Sequence, residues 1–168
     1  NTKCVALRYF NPVGAHKSGL IGEVPYGVPE NLFPIIMETA LGKRNNIYIH
    51  GNDYDTRDGS CIRDFVHVSD IAEAHSLSLS WLSNENTNKS VPIFNLGTGK
   101  GITIAEVIKC FEMTTDIKLN YKYGPRRSGD IPMIFADNNK AKNILNWLPK
   151  HSLESMIETA FIWAKNLN

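Results

Sequence analysis

Gly59-Ser60-Cys61-Ile62-Arg63-Asp64-Phe65-Val66-His67-Val68-Ser69-Asp70-Ile71-Ala72 sets an arginine and a short apolar run directly ahead of a capped helix. Far downstream stands a second cationic segment, Pro125-Arg126-Arg127-Ser128-Gly129-Asp130. Two separated guanidinium sources suit a pyrophosphate, because each offers forked donors to anionic oxygens. Asp130 lies three residues beyond Arg127, across a glycine, and a carboxylate there can accept hydrogen bonds from sugar hydroxyls. The two segments together predict a site for a ribose-bearing nucleotide diphosphate. The competing reading is solvated surface arginines, the commoner role for any single Arg–Asp pair.

Upstream, Cys4-Val5-Ala6-Leu7-Arg8-Tyr9-Phe10 is mostly apolar without a clean period of two. That pattern predicts a strand buried on both faces, as in a parallel sheet. It stops at Asn11-Pro12-Val13-Gly14, where proline withholds a ladder donor and glycine permits a sharp turn. A loop follows from Ala15 to Val28. A helix is predicted from about Asn31 to Leu41, with Leu32, Ile35, Ile36, Thr39 and Ala40 on one face. Asn31 suits the N-cap, Pro34 is harmless in the first turn, and Gly42 suits the stop. The free N–H groups at such a helix start favour an anion. Ile47-Tyr48-Ile49-His50 reads as a short strand, and residues 51–59 as a turn-rich loop.

Downstream, Ile71, Ala74, Leu77, Ser78, Trp81 and Leu82 form one helical stripe, and Asn84 to Ser90 a polar loop. Val91 to Leu96 is a second buried-strand candidate. Thr103 and Glu106 make a capping box ahead of Ile104, Val107, Ile108 and Phe111. Ile117, Leu119, Tyr121 and Tyr123 alternate with polar residues, the mark of a half-exposed strand. Two closing helices carry Ala141, Ile144, Leu145 and Leu148, then Leu153, Met156, Ile157, Ala160, Ala164 and Leu167. Helix and strand alternate throughout, so the class is α/β.

Composition bounds the function. With 168 residues and 42% hydrophobic content the chain can bury one real core. The formal charge is +1 and no basic block exceeds two residues, which argues against nucleic acid as a partner. No apolar run approaches the ~18 residues of a membrane span. Cys4, Cys61 and Cys110 are odd in number and widely spaced, which predicts reduced thiols and a cytoplasmic setting. The five histidines show no metal-ligand spacing, so no metal is expected. The chain begins at Asn1 on a strand-like run and reads as part of a longer protein.

Strand, then Gly97-x-Gly99-x-Gly101, then a capped helix imitates a dinucleotide fingerprint. The third glycine of that fingerprint would fall on Ile102, so a plain structural turn is the better reading. No tyrosine is followed four residues later by lysine, and neither a Gly-x-Ser-x-Gly elbow nor a Walker loop is present. From its own residues the chain binds, and nothing in it clearly catalyses.

Leu7-Arg8-Tyr9-Phe10-Asn11-Pro12-Val13-Gly14-Ala15-His16, Pro29-Glu30-Asn31-Leu32, Gly51-Asn52-Asp53-Tyr54, Arg63-Asp64-Phe65-Val66-His67-Val68, Phe94-Asn95-Leu96-Gly97-Thr98-Gly99 and Arg126-Arg127-Ser128-Gly129-Asp130 occur in this order. As a set they closely resemble the C-terminal half of the UDP-glucose 4-epimerases, extended short-chain dehydrogenases/reductases, over essentially the whole chain. The resemblance implies a C-terminal substrate-binding lobe attached to remnant parallel strands of an NAD-binding Rossmann sheet. Residues 1–14 would end that sheet, residues 15–168 would form the UDP-sugar lobe, and strand 91–97 would pair back onto the sheet.

The resemblance implies reversible inversion at C4 of a UDP-hexose, with tightly held NAD taking and returning hydride and a tyrosine as base. The glycine-rich loop and Tyr-x-x-x-Lys would lie upstream, so no catalytic residue is expected in this chain. Tyr9 and Pro12 match positions at the nicotinamide end of NAD. Phe10 and Asn11 match residues beside hexose and diphosphate, and Asn31 and Leu32 match sugar and phosphate contacts. Tyr48 and His50 match main-chain contacts to uracil, Arg63 and Arg127 the diphosphate clamp, and Asp130 the ribose acceptor. Phe65 stands where some relatives carry tyrosine. Ile134 stands at a pocket-wall position, where isoleucine implies UDP-glucose and UDP-galactose as main substrates with weaker use of UDP-GlcNAc. The parent would be a homodimer through helices of its other half, and this piece a monomer without activity.

Packing is the competing role for Phe10, Leu32 and Phe65, and Arg126 reads as a solvated neighbour of Arg127. A noncatalytic sugar-nucleotide-binding module, or a related UDP-uronate epimerase or decarboxylase, are the alternative functions.

Overall fold

A computed structural model describes residues 2–84 and 91–167. Its elements are β1 (Ala6–Tyr9), β2 (Asn11–Val13), α1 (Leu32–Ala40), β3 (Ile47–His50), β4 (Ile62–Arg63), β5 (Phe65–His67) and α2 (Val68–Asn84), followed by β6 (Ile93–Leu96), β7 (Ile102–Thr103), α3 (Ile104–Thr115), β8 (Tyr121–Gly124), α4 (Asn139–Leu145) and α5 (Leu153–Asn166). Past Asn84, the polar loop expected at 84–90 lies outside the described residues.

Strand pairing is short-range in extent and long-range in sequence. β1 runs parallel to β6 in the register Ala6↔Ile93 to Tyr9↔Leu96, the adjacency expected of the two buried-strand candidates. β2 pairs parallel with β5, β3 parallel with β8, and β4 antiparallel with β7. Burial of the first strand on both faces is corrected. Cys4, Arg8 and Tyr9 are exposed, while Val5 and Leu7 pack inward. Among the described residues α2 and α4 cover one face of β1 and β6, and no element covers the other.

β5 joins the two cores of the molecule. Successive strand side chains point to opposite faces, so Phe65 and Val66 serve different layers. Phe65 enters a core with Phe33, Ile36, Ile47, Ile49, Phe111 and Ile157 beneath α1, α3 and α5. Val66 enters the second core with Phe94, Leu96, Ala74, Leu145 and Trp147. The stretch around residues 63–68 therefore ties the two cores together.

Several local expectations shift. In α1 the core face is Phe33, Ile36 and Met37, because the aromatic and the methionine claim the interior. Leu32 and Ile35 are only partly buried and turn towards a cavity. Asn31 occupies the N-cap in extended conformation, yet its side chain makes no capping bond. Gly42, at φ +74, ends the helix with its N–H donating to the Thr39 carbonyl at 3.1 Å. The half-exposed strand expected over 117–123 begins only at Tyr121, and Leu119 is buried ahead of it. At the other end Asn146 adopts a left-handed conformation (φ 54) and stops α4 at Leu145. That reversal turns Trp147 fully inward and leaves Ile144 and Leu148 exposed. The Thr103–Glu106 capping box forms with both of its arms.

The glycine turn after β6 holds an anion that the protein supplies itself. The Asp64 carboxylate accepts from the Thr98 N–H (2.8 Å), the Thr98 hydroxyl (2.6 Å), the Gly99 N–H (3.0 Å) and the Ala136 N–H (3.0 Å). A Cβ on Gly97 would lie 2.4 Å from the Asp64 Oδ2, which explains that glycine by close approach.

Candidate functional site

Strand and helix ends converge on a cavity of about 190 Å³. The start of α1 brings Asn31, Leu32 and Ile35, and β3 brings Ile47, Tyr48 and His50. β2 contributes Asn11, the 61–65 stretch contributes Cys61, Arg63 and Phe65, and the 127–130 loop contributes Arg127 and Asp130. Eight of the ten substrate positions expected from sequence, Asn11, Asn31, Leu32, Tyr48, His50, Arg63, Arg127 and Asp130, are thereby brought together. Phe10 and Ile134 are not among its lining residues. Phe10 donates its N–H to the Leu96 carbonyl at 3.1 Å, and Ile134 is 42% exposed beside β4.

The cationic groups differ in their bonding. Arg63 is largely buried; one terminal nitrogen donates to the Ile62 and Ile131 carbonyls at 2.8 Å, and the other pairs with Asp130 at 3.2 Å. Arg127 faces the cavity without an ion-pair partner among the described residues. Arg126 is not a free solvated neighbour. It donates to the Asp53 carboxylate (2.8 Å) and carbonyl (2.7 Å) and lies 4.2 Å from the Tyr54 ring centroid. Consecutive arginines thus divide the work: one staples the loop and one is left for an anion.

β3 presents main-chain groups to the same space. Ile47 donates to the Asn120 carbonyl, just before β8, and Gly51 to the Gly124 carbonyl, both at 2.9 Å, and amide direction alternates along a strand. The N–H and C=O groups of Tyr48 and His50 therefore point to the other edge, where no strand pairs among the described residues. The His50 ring is fixed by a 3.2 Å contact with the Pro125 carbonyl.

Tyr9 and Pro12 lie apart from the cavity. Pro12 borders a more open groove of about 580 Å³ with Val13, Gly14, Val68 and Ala72. The Tyr9 hydroxyl donates to His75 Nε2 at 2.7 Å, since His75 Nδ1 lies 2.8 Å from the Ile71 carbonyl and must carry the ring proton.

Sequence reasoning missed a buried polar cluster behind the site. Asp70 accepts from His151 Nδ1 (2.8 Å) and from the Lys150 and His151 N–H groups (3.1 and 3.2 Å). His151 stacks on His67 at 4.0 Å, and His67 Nε2 donates to Thr159 at 3.0 Å. Burial first, and then the neighbouring His151, push the His67 imidazole down to about 4. No spacing signal links residues 67, 70 and 151. Asp64 did carry a signal, a carboxylate inside an apolar run, because such a group must be satisfied internally. Among the described residues no cluster of His, Cys, Asp or Glu is placed to hold a metal ion, and no helix is long and apolar enough to cross a membrane.

Known proteins place this architecture among α/β folds of NAD-binding epimerases, of which the chain covers about half. A family model described as GDP-mannose 4,6 dehydratase matches residues 1–160, and the chain belongs to that family. A UDP-glucose 4-epimerase of Pasteurella multocida is 45% identical over 159 residues, 95% of this chain and 46% of that protein. The crystal structure of a Stenotrophomonas maltophila UDP-glucose-4-epimerase with NAD and formylated UDP-arabinopyranose is 42% identical with a TM-score of 0.94, over 98% of this chain and 48% of that one. The Bifidobacterium longum enzyme, in complex with NAD+ and UDP, gives 40% identity and a TM-score of 0.91 over 98% and 48% of the two chains. The chain spans about half the length of the curated relatives it matches, corresponding to their C-terminal half.

Proposed function

We propose that this chain is the substrate-binding half of an NAD-dependent UDP-glucose 4-epimerase, interconverting UDP-glucose and UDP-galactose through a transient 4-keto sugar in cytoplasmic galactose metabolism. The cavity carries this reading, because the expected substrate residues, drawn from five separate stretches of sequence, line one space. Arg63 and Arg127 grip the diphosphate with forked donors. Asp130 accepts from the ribose hydroxyls. The open edge of β3 offers an N–H and a C=O on the same side, which pair with the adjacent acceptor and donor of the uracil ring. Asn11, Asn31 and Leu32 take the phosphate and hexose end.

NAD, when bound, supplies the hydride acceptor. The open, largely apolar groove beside Pro12 suits a flat ring, and Pro12, Val13 and Gly14 are among the residues of this chain that would border it. The chain has no Tyr-x-x-x-Lys, so its own task is to bind and orient the UDP-hexose. By itself, with NAD added, it is expected to be monomeric and inactive, whereas the parent enzyme is a homodimer.

Competition titrations test the reading. UDP, UDP-glucose and UDP-galactose should displace one another from the pure chain, with GDP-mannose weaker. Preference for GDP-mannose would reassign the site to the dehydratase chemistry named by the family model.

A further inference from the structure

Asp64 is fully buried and bonded at every oxygen, yet it sits between two residues that line the cavity, Arg63 and Phe65. Its main-chain carbonyl accepts from the N–H of a third lining residue, Asn11, at 2.9 Å. Its carboxylate reaches the opposite way, to the 98–99 turn and to the Ala136 N–H. Residue 136 ends the segment that frames Arg63. Ile62 donates to the Pro132 carbonyl (2.8 Å), Ile134 donates to the Ile62 carbonyl (3.2 Å), and the Ile131 carbonyl and Asp130 carboxylate both accept from Arg63. One carboxylate therefore ties together the β4–β5 junction, the glycine turn and the 130–136 segment. The first of these carries Arg63, and the third bonds its guanidinium through the Ile131 carbonyl and Asp130.

We propose that Asp64 is a positioning residue of the nucleotide site: without touching the ligand, it sets diphosphate affinity by fixing Arg63 and Asn11. This inference rests on the UDP-binding reading above and adds to it a determinant outside the cavity. Forked hydrogen bonds to a diphosphate depend on the placement of the guanidinium plane. A buried carboxylate with four donors forms a fully satisfied network, which rigidifies the segments it joins. Anions held by a glycine turn are ordinarily ligands. Here the turn is filled from within, and its rigidity is passed to the cavity.

The test separates positioning from folding. In Thr98→Val the hydroxyl donor to Asp64 is removed while the Thr98 and Gly99 N–H donors stay, so the fold is retained. Asp64→Asn, which faces its amide towards N–H donors, is the harsher companion. UDP and uridine are titrated into the full chain by heteronuclear NMR, which resolves weak binding and reports the folded fraction directly. Thr98→Val should lose about ten-fold of the UDP-over-uridine preference, with uridine affinity unchanged. An unchanged UDP-to-uridine ratio, or equal loss for both ligands, would overturn the proposal. If the wild-type chain shows no preference for UDP over uridine, the nucleotide-site reading itself fails, and the proposal falls with it.

Discussion

Arg63 and Asp130, 67 residues apart in sequence, meet as a 3.2 Å ion pair at the wall of the cavity. Their side chains are 17% and 28% exposed, so the pair is only partly screened by solvent. It joins the Arg63 and Arg126–Asp130 cationic segments. It also leaves Arg127 as the cation of that loop facing the cavity without a partner among the described residues.

Arg127→Ala should weaken UDP binding by about 1–3 kcal/mol, the scale of charged hydrogen bonds, and leave thermal stability unchanged. Arg127→Lys should restore part of the loss, because it keeps the charge and loses the fork. Arg126→Ala should behave oppositely, loosening the loop through Asp53 and Tyr54 with a much smaller effect on UDP. Calorimetry and thermal melts on the three variants distinguish the two arginines.

Asp130 provides a test on the ribose. Wild-type chain should bind UDP more tightly than 2′-deoxy-UDP by about 1.5–3 kcal/mol, the worth of a hydrogen bond to a charged acceptor. Asp130→Ala should erase that difference while retaining measurable UDP binding through Arg127. A difference that survives the substitution would remove Asp130 from the ribose contact.

Stability should fall on mild acidification because His67 is buried neutral. Its pKa lies at about 4 in the folded chain against 6.5 when unfolded, so the unfolded chain binds the proton first. The contribution is fully present above pH 6.5, declines as pH falls, and levels off below about 4. Each unit corresponds to about 1.4 kcal/mol, giving a loss of about 3 kcal/mol across the window. The carboxylates with lowered values, Glu106 at about 2 foremost, lose their contribution at lower pH. Urea unfolding at pH 7 and pH 4.5, with His67→Gln alongside, checks this. The variant should lose most of the pH dependence.

Legibility in the sequence followed the range of the signal. The α/β class and the Thr103 cap rest on local periodicity and spacing, the β1–β6 pairing rests on the family resemblance, and each is present. Where a helix face was misjudged, as in α1, neighbouring Phe33 and Met37 outcompeted Leu32 and Ile35 for the interior. That choice is made by packing against α5 and β3, which periodicity does not encode. The Asn31, Arg63 and Arg127 positions could be named from motifs, but not the difference in bonding between Arg126 and Arg127. That difference depends on Asp53, 73 residues away from Arg126. The His67–His151 stack joins segments 84 positions apart through Asp70 and has no short motif of its own.

The central claim is that the cavity between β3, the start of α1 and the 127–130 loop binds UDP. Its most direct test is an amide chemical-shift titration of the pure 168-residue chain with UDP. The largest saturable shifts should fall on the free-edge amides of Tyr48 and His50 and on the amides of Asn31, Leu32 and Arg127. A folded chain in which these resonances stay fixed while UDP is raised to millimolar excess, or in which the shifts cluster elsewhere, would contradict it.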